Sequence, residues 1–173
     1  MTDELKNQPC PICAEKKCTL REEEIDVPFF GKTFIFSMTC EACGYRKADV
    51  EAAEHKEPCK YTIEVSEEAD LNARIVKSSE GTVKIPHIMT IESGPESEGY
   101  ITNVEGLLTK VKKVLESSYE AEEEDDNKNK LKNMIKKVNK VLACHEAIKI
   151  TIEDSSGNSA IISDKAVKTG MKS

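Results

Sequence analysis

Tryptophan is absent, and all four phenylalanines fall in one short stretch, at Phe29, Phe30, Phe34 and Phe36. Long apolar runs are missing too, since none approaches the ~20 residues that a membrane helix needs. Met1 to Gln8 is polar and lacks the charged-then-apolar pattern of a secretory signal. These absences predict a soluble, cytoplasmic protein with no membrane partner. Histidine is scarce, and His55, His87 and His145 stand far apart. There is no Gly-x-Ser-x-Gly, no phosphate-cradling glycine loop and no His-Glu-x-x-His. Catalysis therefore has no residues to stand on, and the expectation is a non-enzyme without a small-molecule substrate. An excess of positive charge is also lacking. With 25 basic and 32 acidic residues the formal charge is −7, which argues against phosphate binding as the main activity.

What is present is cysteine. The chain has 173 residues, 38% of them apolar and 33% charged, and seven are cysteines. That length holds one ordinary domain or two small ones. An odd count argues against a closed disulfide framework, and a cytosolic chain keeps its thiols reduced. Four cysteines form two identical spacings, Cys10-Pro11-Ile12-Cys13 and Cys40-Glu41-Ala42-Cys43, while Cys18, Cys59 and Cys144 stand alone. A C-x-x-C turn puts two sulfurs on one side of a tight loop, and two such turns supply four thiolates at tetrahedral corners. That donor set suits Zn²⁺ and leaves no open position, so the predicted role is structural, with one ion per chain. Gly44 can take the left-handed conformation that ends one turn, and Pro11 presets the other. Iron would accept the same four sulfurs. A dithiol redox site needs a strand–helix turn that neither pair has.

The block from about Thr2 to Glu57 contains both pairs. Thr19–Val27 and Thr33–Thr39 read as strands around a turn at Pro28–Lys32, with Phe34, Phe36 and Met38 on one face. Such a small module with so little apolar bulk needs a staple, and the cysteines provide one. The predicted domains are a zinc ribbon at 1–57 and a second, strand-rich domain at 58–173. In the latter, Tyr61–Val65, Thr82–Pro86, His87–Ile91 and Ala147–Ile152 are β-prone. Gly94–Gly99 is a turn-rich loop, Asp154–Asn158 a turn, and Ser159–Ser163 the expected hairpin partner of the strand before it. The tail from Asp164 is expected to fray. A helical hairpin is inserted at about 102–144. A capping box, Thr102 to Glu105, opens a first helix carrying Val104, Leu107, Leu108, Val111, Val114 and Leu115. A second carries Leu131, Met134, Ile135, Val138, Val141 and Leu142, with the acidic run Glu120–Asp126 between them as a solvated linker.

Zinc ribbons often bind nucleic acid, which is the rival reading. Lys16, Lys17, Lys32, Arg46 and Lys47 favour it, but Glu22-Glu23-Glu24 and the overall acidity oppose it, and no basic stripe with stacking residues is apparent.

Cys10 to Cys13, then Cys40 to Arg46 (Cys-Glu-Ala-Cys-Gly-Tyr-Arg), resemble the ZPR-type zinc-finger proteins. Asp26-Val27-Pro28 with Phe29-Phe30, Lys84-Ile85-Pro86, Thr102 to Leu108, and Asp154 to Ser159 extend the resemblance over about residues 8 to 163. It implies a mainly β fold with an α insertion: a zinc ribbon followed by a double-stranded β-helix carrying the helical hairpin. Eukaryotic members carry the module twice, bind the translation GTPase elongation factor 1-alpha and help it fold, whereas this chain has a single copy. The implied function is a zinc-binding protein-interaction module for an elongation factor 1-alpha homologue. Candidate contacts lie where apolar residues meet loops, at Phe29, Phe30 and Tyr100.

Overall fold

The computed structural model describes residues 2–27, 31–54, 56–94 and 96–171. Among them the chain begins with β1 (Thr2–Gln8), β2 (Cys18–Val27), β3 (Gly31–Cys40) and β4 (Arg46–Ala52), an antiparallel meander in that order. β2 and β3 are the predicted strands. The alternation puts Phe34 and Phe36 on one face, with ring centroids 6.4 Å apart. The outer strands went unpredicted because neither alternates: β1 is polar and exposed along almost its whole length, and only Val50 is buried on β4.

Downstream come β5 (Cys59–Val65), a one-turn helix α1 (Glu68–Leu71), β6 (Arg74–Lys77), β7 (Gly81–Ile85), β8 (Met89–Ile91) and β9 (Tyr100–Asn103). The helices α2 (Val104–Ala121) and α3 (Asp125–Leu142) follow, then β10 (Ile148–Asp154), β11 (Ala160–Ile162) and β12 (Val167–Gly170). These strands form a sheet in the order β12-β5-β10-β7-β8 and another in the order β11-β6-β9. The fold is thus mostly strands, with the helical hairpin between β9 and β10. Isoleucine and valine dominate the central strands because branched side chains fill a pleated, buried surface well. Ile63, Ile150 and Val83 from one sheet, Ile75 and Ile161 from the other, and Leu107, Leu108 and Val138 from the hairpin share a single core. No helix among the described residues is long and apolar enough to cross a membrane.

Four local expectations need correction. The cap of α2 is Asn103, whose side chain accepts the N–H of Gly106 at 2.8 Å, while Thr102 stays in β9 paired with Ile75. Val114 lies on the flank of the buried stripe and is 46% exposed. Ser159–Ser163 does not pair with β10, because both edges of β10 are taken by β5 and β7. Instead the segment crosses to the other sheet and pairs with β6. The tail does not fray at Asp164, since β12 lies along the remaining edge of β5, Val167 opposite Thr62 and Gly170 opposite Cys59.

The ribbon rests on the second domain through one sheet face. Ile25, Val27 and Ala52 pack with Val76, Ile101, Ala160 and Ile162. Polar contacts extend the seam: Gly99 N–H donates to Asp49 Oδ1 at 2.7 Å, and Lys56 N–H donates to the Ser156 carbonyl at 2.8 Å. Gly157 is required here twice over. Its φ is +71°, and a Cβ would sit 2.4 Å from the Glu57 carbonyl oxygen.

Beneath the seam lies a buried polar cluster. The Asp154 carboxylate, 1% exposed, accepts from Ser78 Oγ at 2.6 Å, from Ser156 N–H at 2.7 Å and Oγ at 2.6 Å, and from the Ser159 hydroxyl. Lys77, also buried, donates to the Ser78 carbonyl at 3.0 Å and to Ser97 Oγ at 3.1 Å. The Asp154 to Ser159 motif is thus a knot joining the end of β10 to β6 and to the loop before β9. Burial raises the Asp154 carboxyl, but the hydroxyls of Ser156, Ser159 and Ser78 and the Ser156 N–H outweigh it and hold it below the usual value.

Asp154→Asn is expected to cost about 2–3 kcal/mol at neutral pH, since it replaces charge-assisted bonds with weaker ones and leaves donors unsatisfied. A depressed carboxyl contributes stability above its unfolded value of about 3.9 and loses it as pH falls through the folded value. The gap between wild type and variant in denaturant melts should therefore narrow below about pH 4. A gap that stays constant with pH would rule out an ionised Asp154 as its source.

Candidate metal centre

The register of the meander assembles the centre. β2 and β3 are paired along their whole length, from Val27↔Gly31 to Cys18↔Cys40. The β1–β2 and β3–β4 connections therefore lie side by side at one end of the sheet. The first holds Cys10 and Cys13, the second Cys43, with Cys40 closing β3. Each connection makes the same turn. Cys10 N–H donates to the Glu15 carbonyl and Ala14 N–H to the Cys10 carbonyl; Cys40 N–H donates to the Tyr45 carbonyl and Gly44 N–H to the Cys40 carbonyl. Matching residues take the left-handed conformation, Ala14 at φ +61° and Gly44 at φ +74°.

Two hairpin ends built alike bring four sulfurs together. The Cys10–Cys43 and Cys13–Cys40 Sγ separations are 3.7 and 3.8 Å, and all four Sγ atoms lie within 4.8 Å of one another. A tetrahedron with Zn–S bonds of ~2.3 Å has edges of ~3.8 Å, so the four cysteines are positioned to bind one zinc ion.

The electrostatics repeat in both turns. Burial raises the Cys10 thiol, but the backbone at Cys13 and Ile12 and the neighbouring thiols bring it down to about 6. Cys40 is lowered chiefly by the backbone at Cys43, against burial. For Cys13 the backbone at Glu15 lowers the thiol, yet burial and the surrounding sulfurs push it up to about 12. Cys43 is raised in the same way against the backbone at Tyr45. The first cysteine of each turn is thus readied as a thiolate by N–H donors such as Ile12, whose N–H lies 3.4 Å from Cys10 Sγ. A bound dication would supply the charge that deprotonates the second.

Among the described residues, the remaining cysteines and histidines do not join the four. Cys18, fully buried, packs behind Cys10 and Cys40 and is not one of the four clustered sulfurs. Burial, then the thiols of Cys10 and Cys40, raise it to about 12. Cys59 is buried and directs its sulfur to the Ser159 carbonyl at 3.4 Å. Cys144 is half-buried beyond α3, and His87 and His145 are exposed. Phe29, Phe30 and His55 lie outside the described residues. Tyr100 is half-buried on β9, with Lys110 Nζ 4.7 Å from its ring centroid, and its hydroxyl is buried without a hydrogen-bond partner among the described residues. Sequence reasoning missed Lys77 and the Asp154 cluster. The one available signal was a lysine ending a β-branched pair, Ile75-Val76-Lys77, ahead of two serines.

The family model of the ZPR1 zinc-finger domain matches residues 4–58, and that of the ZPR1 jelly-roll domain matches residues 69–173. An uncharacterized ZPR1-like protein of Methanocaldococcus jannaschii is 34% identical over 157 residues, covering 90% of this chain and 79% of the relative. A second, from Pyrococcus horikoshii, is 34% identical over 167 residues, covering 94% and 75%. The zinc finger chaperone zpr1 of Schizosaccharomyces pombe is 33% identical over 139 residues, which are 78% of this chain but 30% of that protein. Of these three relatives, the fission yeast protein carries a zinc finger chaperone name.

Elemental analysis of the purified chain should give one zinc per molecule, falling well below that in Cys40→Ser; a metal-free wild type that keeps its ribbon ordered would refute the site. Ala14→Gly should stabilise the zinc-loaded ribbon by about 0.5–1 kcal/mol, because a Cβ is strained in the left-handed region that Ala14 occupies. Denaturant melts of the zinc-loaded chain would read that difference, and an unchanged or lower midpoint would contradict it.

Proposed function

This chain belongs to the ZPR1 zinc-finger family, and from that premise we propose that it is a non-enzymatic, zinc-dependent chaperone module for a translation GTPase of the elongation factor 1-alpha type. Cys10, Cys13, Cys40 and Cys43 act as the four ligands of a structural zinc. A coordination shell closed by four thiolates has no position for substrate or water, so the ion shapes a surface and does no chemistry of its own. The observation that carries the reading is the similarity to the fission yeast zinc finger chaperone over 78% of this chain. That match covers under a third of the yeast protein, so the single module here corresponds to only part of it.

The protein works in the cytoplasm, where its thiols stay reduced and the translation machinery is found. Its partner is a protein. The ribbon's carboxylates and the net charge of −7 disfavour nucleic acid, whose affinity for proteins comes largely from neutralising phosphates. Phe29 and Phe30, between the paired ends Val27 and Gly31, and Tyr100 on β9 are candidate contacts for the client.

The test is size-exclusion and calorimetric titration of the zinc-loaded chain against a purified elongation factor 1-alpha homologue from the same source. A complex is expected, and it should be lost in Cys40→Ser and weakened in Phe29→Ala/Phe30→Ala. If wild type forms no complex with either the native or the refolding factor, the client assignment fails.

A further inference from the structure

The two faces of the ribbon sheet have different fates. One is partly covered by the second domain, through Ile25, Val27 and Ala52. The other carries an apolar lane whose rows follow from the register. Leu5, Leu20 and Met38 lie side by side across β1, β2 and β3, and Phe36 and then Phe34 continue the lane along β3. Leu5 is 61% exposed, and the remaining four are half-buried. At Leu5, Leu20, Phe36 and Met38 the lane forms a groove of about 530 Å³.

Carboxylates flank this lane on both sides. Asp3, Glu22 and Glu24 stand on β1 and β2, and Asp49 and Glu51 on β4, in the same rows as Phe36 and Phe34. The lysines of this face are already engaged: Lys32 pairs with Glu24 at 2.8 Å, and Lys47 reaches Glu98 of the second domain at 3.6 Å. Asp49 is committed to the N–H groups of Gly99 and Val50. Asp3, Glu22 and Glu51 have no ion pair among the described residues.

We propose that this lane is the docking surface for a basic segment of a client protein, one that sets a leucine or aromatic side chain into the groove and its lysines or arginines on Asp3, Glu22 and Glu51. The charge arrangement selects that occupant. An acidic or phosphate-bearing partner would meet carboxylates, and a second copy of this chain would bring like charges face to face. Apolar anchors in a desolvated groove carry affinity, while the flanking charges govern encounter rate and exclude wrong partners. The proposal deepens the chaperone reading and rests on the chain having a protein client, but not on which client it is.

The test uses the full zinc-loaded chain and two labelled synthetic peptides, one alternating lysine with leucine and one alternating glutamate with leucine, followed by fluorescence anisotropy. The lysine peptide should bind, more weakly as salt rises, and the glutamate peptide should not. Glu22→Lys/Glu51→Lys, at exposed positions away from the cysteines, should weaken binding about tenfold and lose most of the salt dependence with zinc content unchanged. Phe36→Ala/Met38→Ala should weaken it similarly while keeping the salt dependence, with zinc content unchanged although Met38 packs against the cysteine cluster. Equal binding of both peptides, an unaffected charge variant, or a dimer in sedimentation that the Phe36→Ala/Met38→Ala change dissolves would each overturn the proposal. The purified elongation factor serves as a parallel arm. If it binds wild type and both variants alike, the surface is wrong and the client stands. If the lysine peptide binds as expected and the factor does not, the surface stands and the client is wrong.

Discussion

Four thiolates within 4.8 Å of one another cannot all carry charge in the absence of a cation. Their mutual repulsion is visible in the thiols themselves, two drawn toward ionisation by the backbone and two driven away from it by their neighbours. A dication resolves that conflict and turns it into cohesion between the two hairpin ends of a sheet that has little else to hold it. Ion binding of this kind is folding free energy, of the order of 10 kcal/mol for small zinc modules. The ribbon's apolar core, by contrast, is a few half-buried side chains, Val27, Val50 and the three buried cysteines Cys10, Cys18 and Cys40. The rows of side chains on the ribbon's open face share the strand register that brings the four sulfurs together.

The second domain is held differently, by an ordinary apolar core and by the Asp154 knot at its border with the ribbon. The knot uses a charge in a place that an apolar plug would also fill. Its advantage lies in direction: three serine hydroxyls and one N–H fix the chain where it leaves β10, turn it at Gly157 against Glu57, and send it across to β6. Lys77 does the same for the loop before β9, through the Ser78 carbonyl and Ser97. The seam between ribbon and second domain is therefore set by polar geometry as much as by the contact of Val27 with Val76 and Ala160.

Much of this was legible in the chain. Two C-x-x-C spacings named the four sulfurs, period-2 alternation gave β3, β5 and β10, a charged but β-compatible run gave β2, and 3.6-residue periodicity gave both long helices. Elements without a pattern stayed hidden. β1 and β4 form because β2 and β3 offer them edges, not because their own residues prefer strand. β11 and β12 were misread because local turn chemistry says where a chain bends but not which edge is free to receive it. The buried charges Lys77 and Asp154 were invisible for a related reason: a lysine or aspartate is read as exposed until its partners, up to 76 residues away as for Ser78 and Asp154, are brought to it. The jelly-roll arrangement itself came from resemblance alone.

The path of β5 has a kinetic corollary. Its neighbours are β10 and β12, so the sulfur of Cys59 at its start meets a carbonyl one hundred residues further along, and the helical hairpin is threaded between. Ladders of such wide sequence separation close slowly, because the entropy of a long loop is lost before its contacts form. The meander, by contrast, pairs only sequence neighbours. During synthesis the ribbon can capture its ion and mature while β5 still waits for its strand partners. The lobe that we assign to client recognition can thus be finished early, on a chain whose other lobe has yet to close its strand ladders.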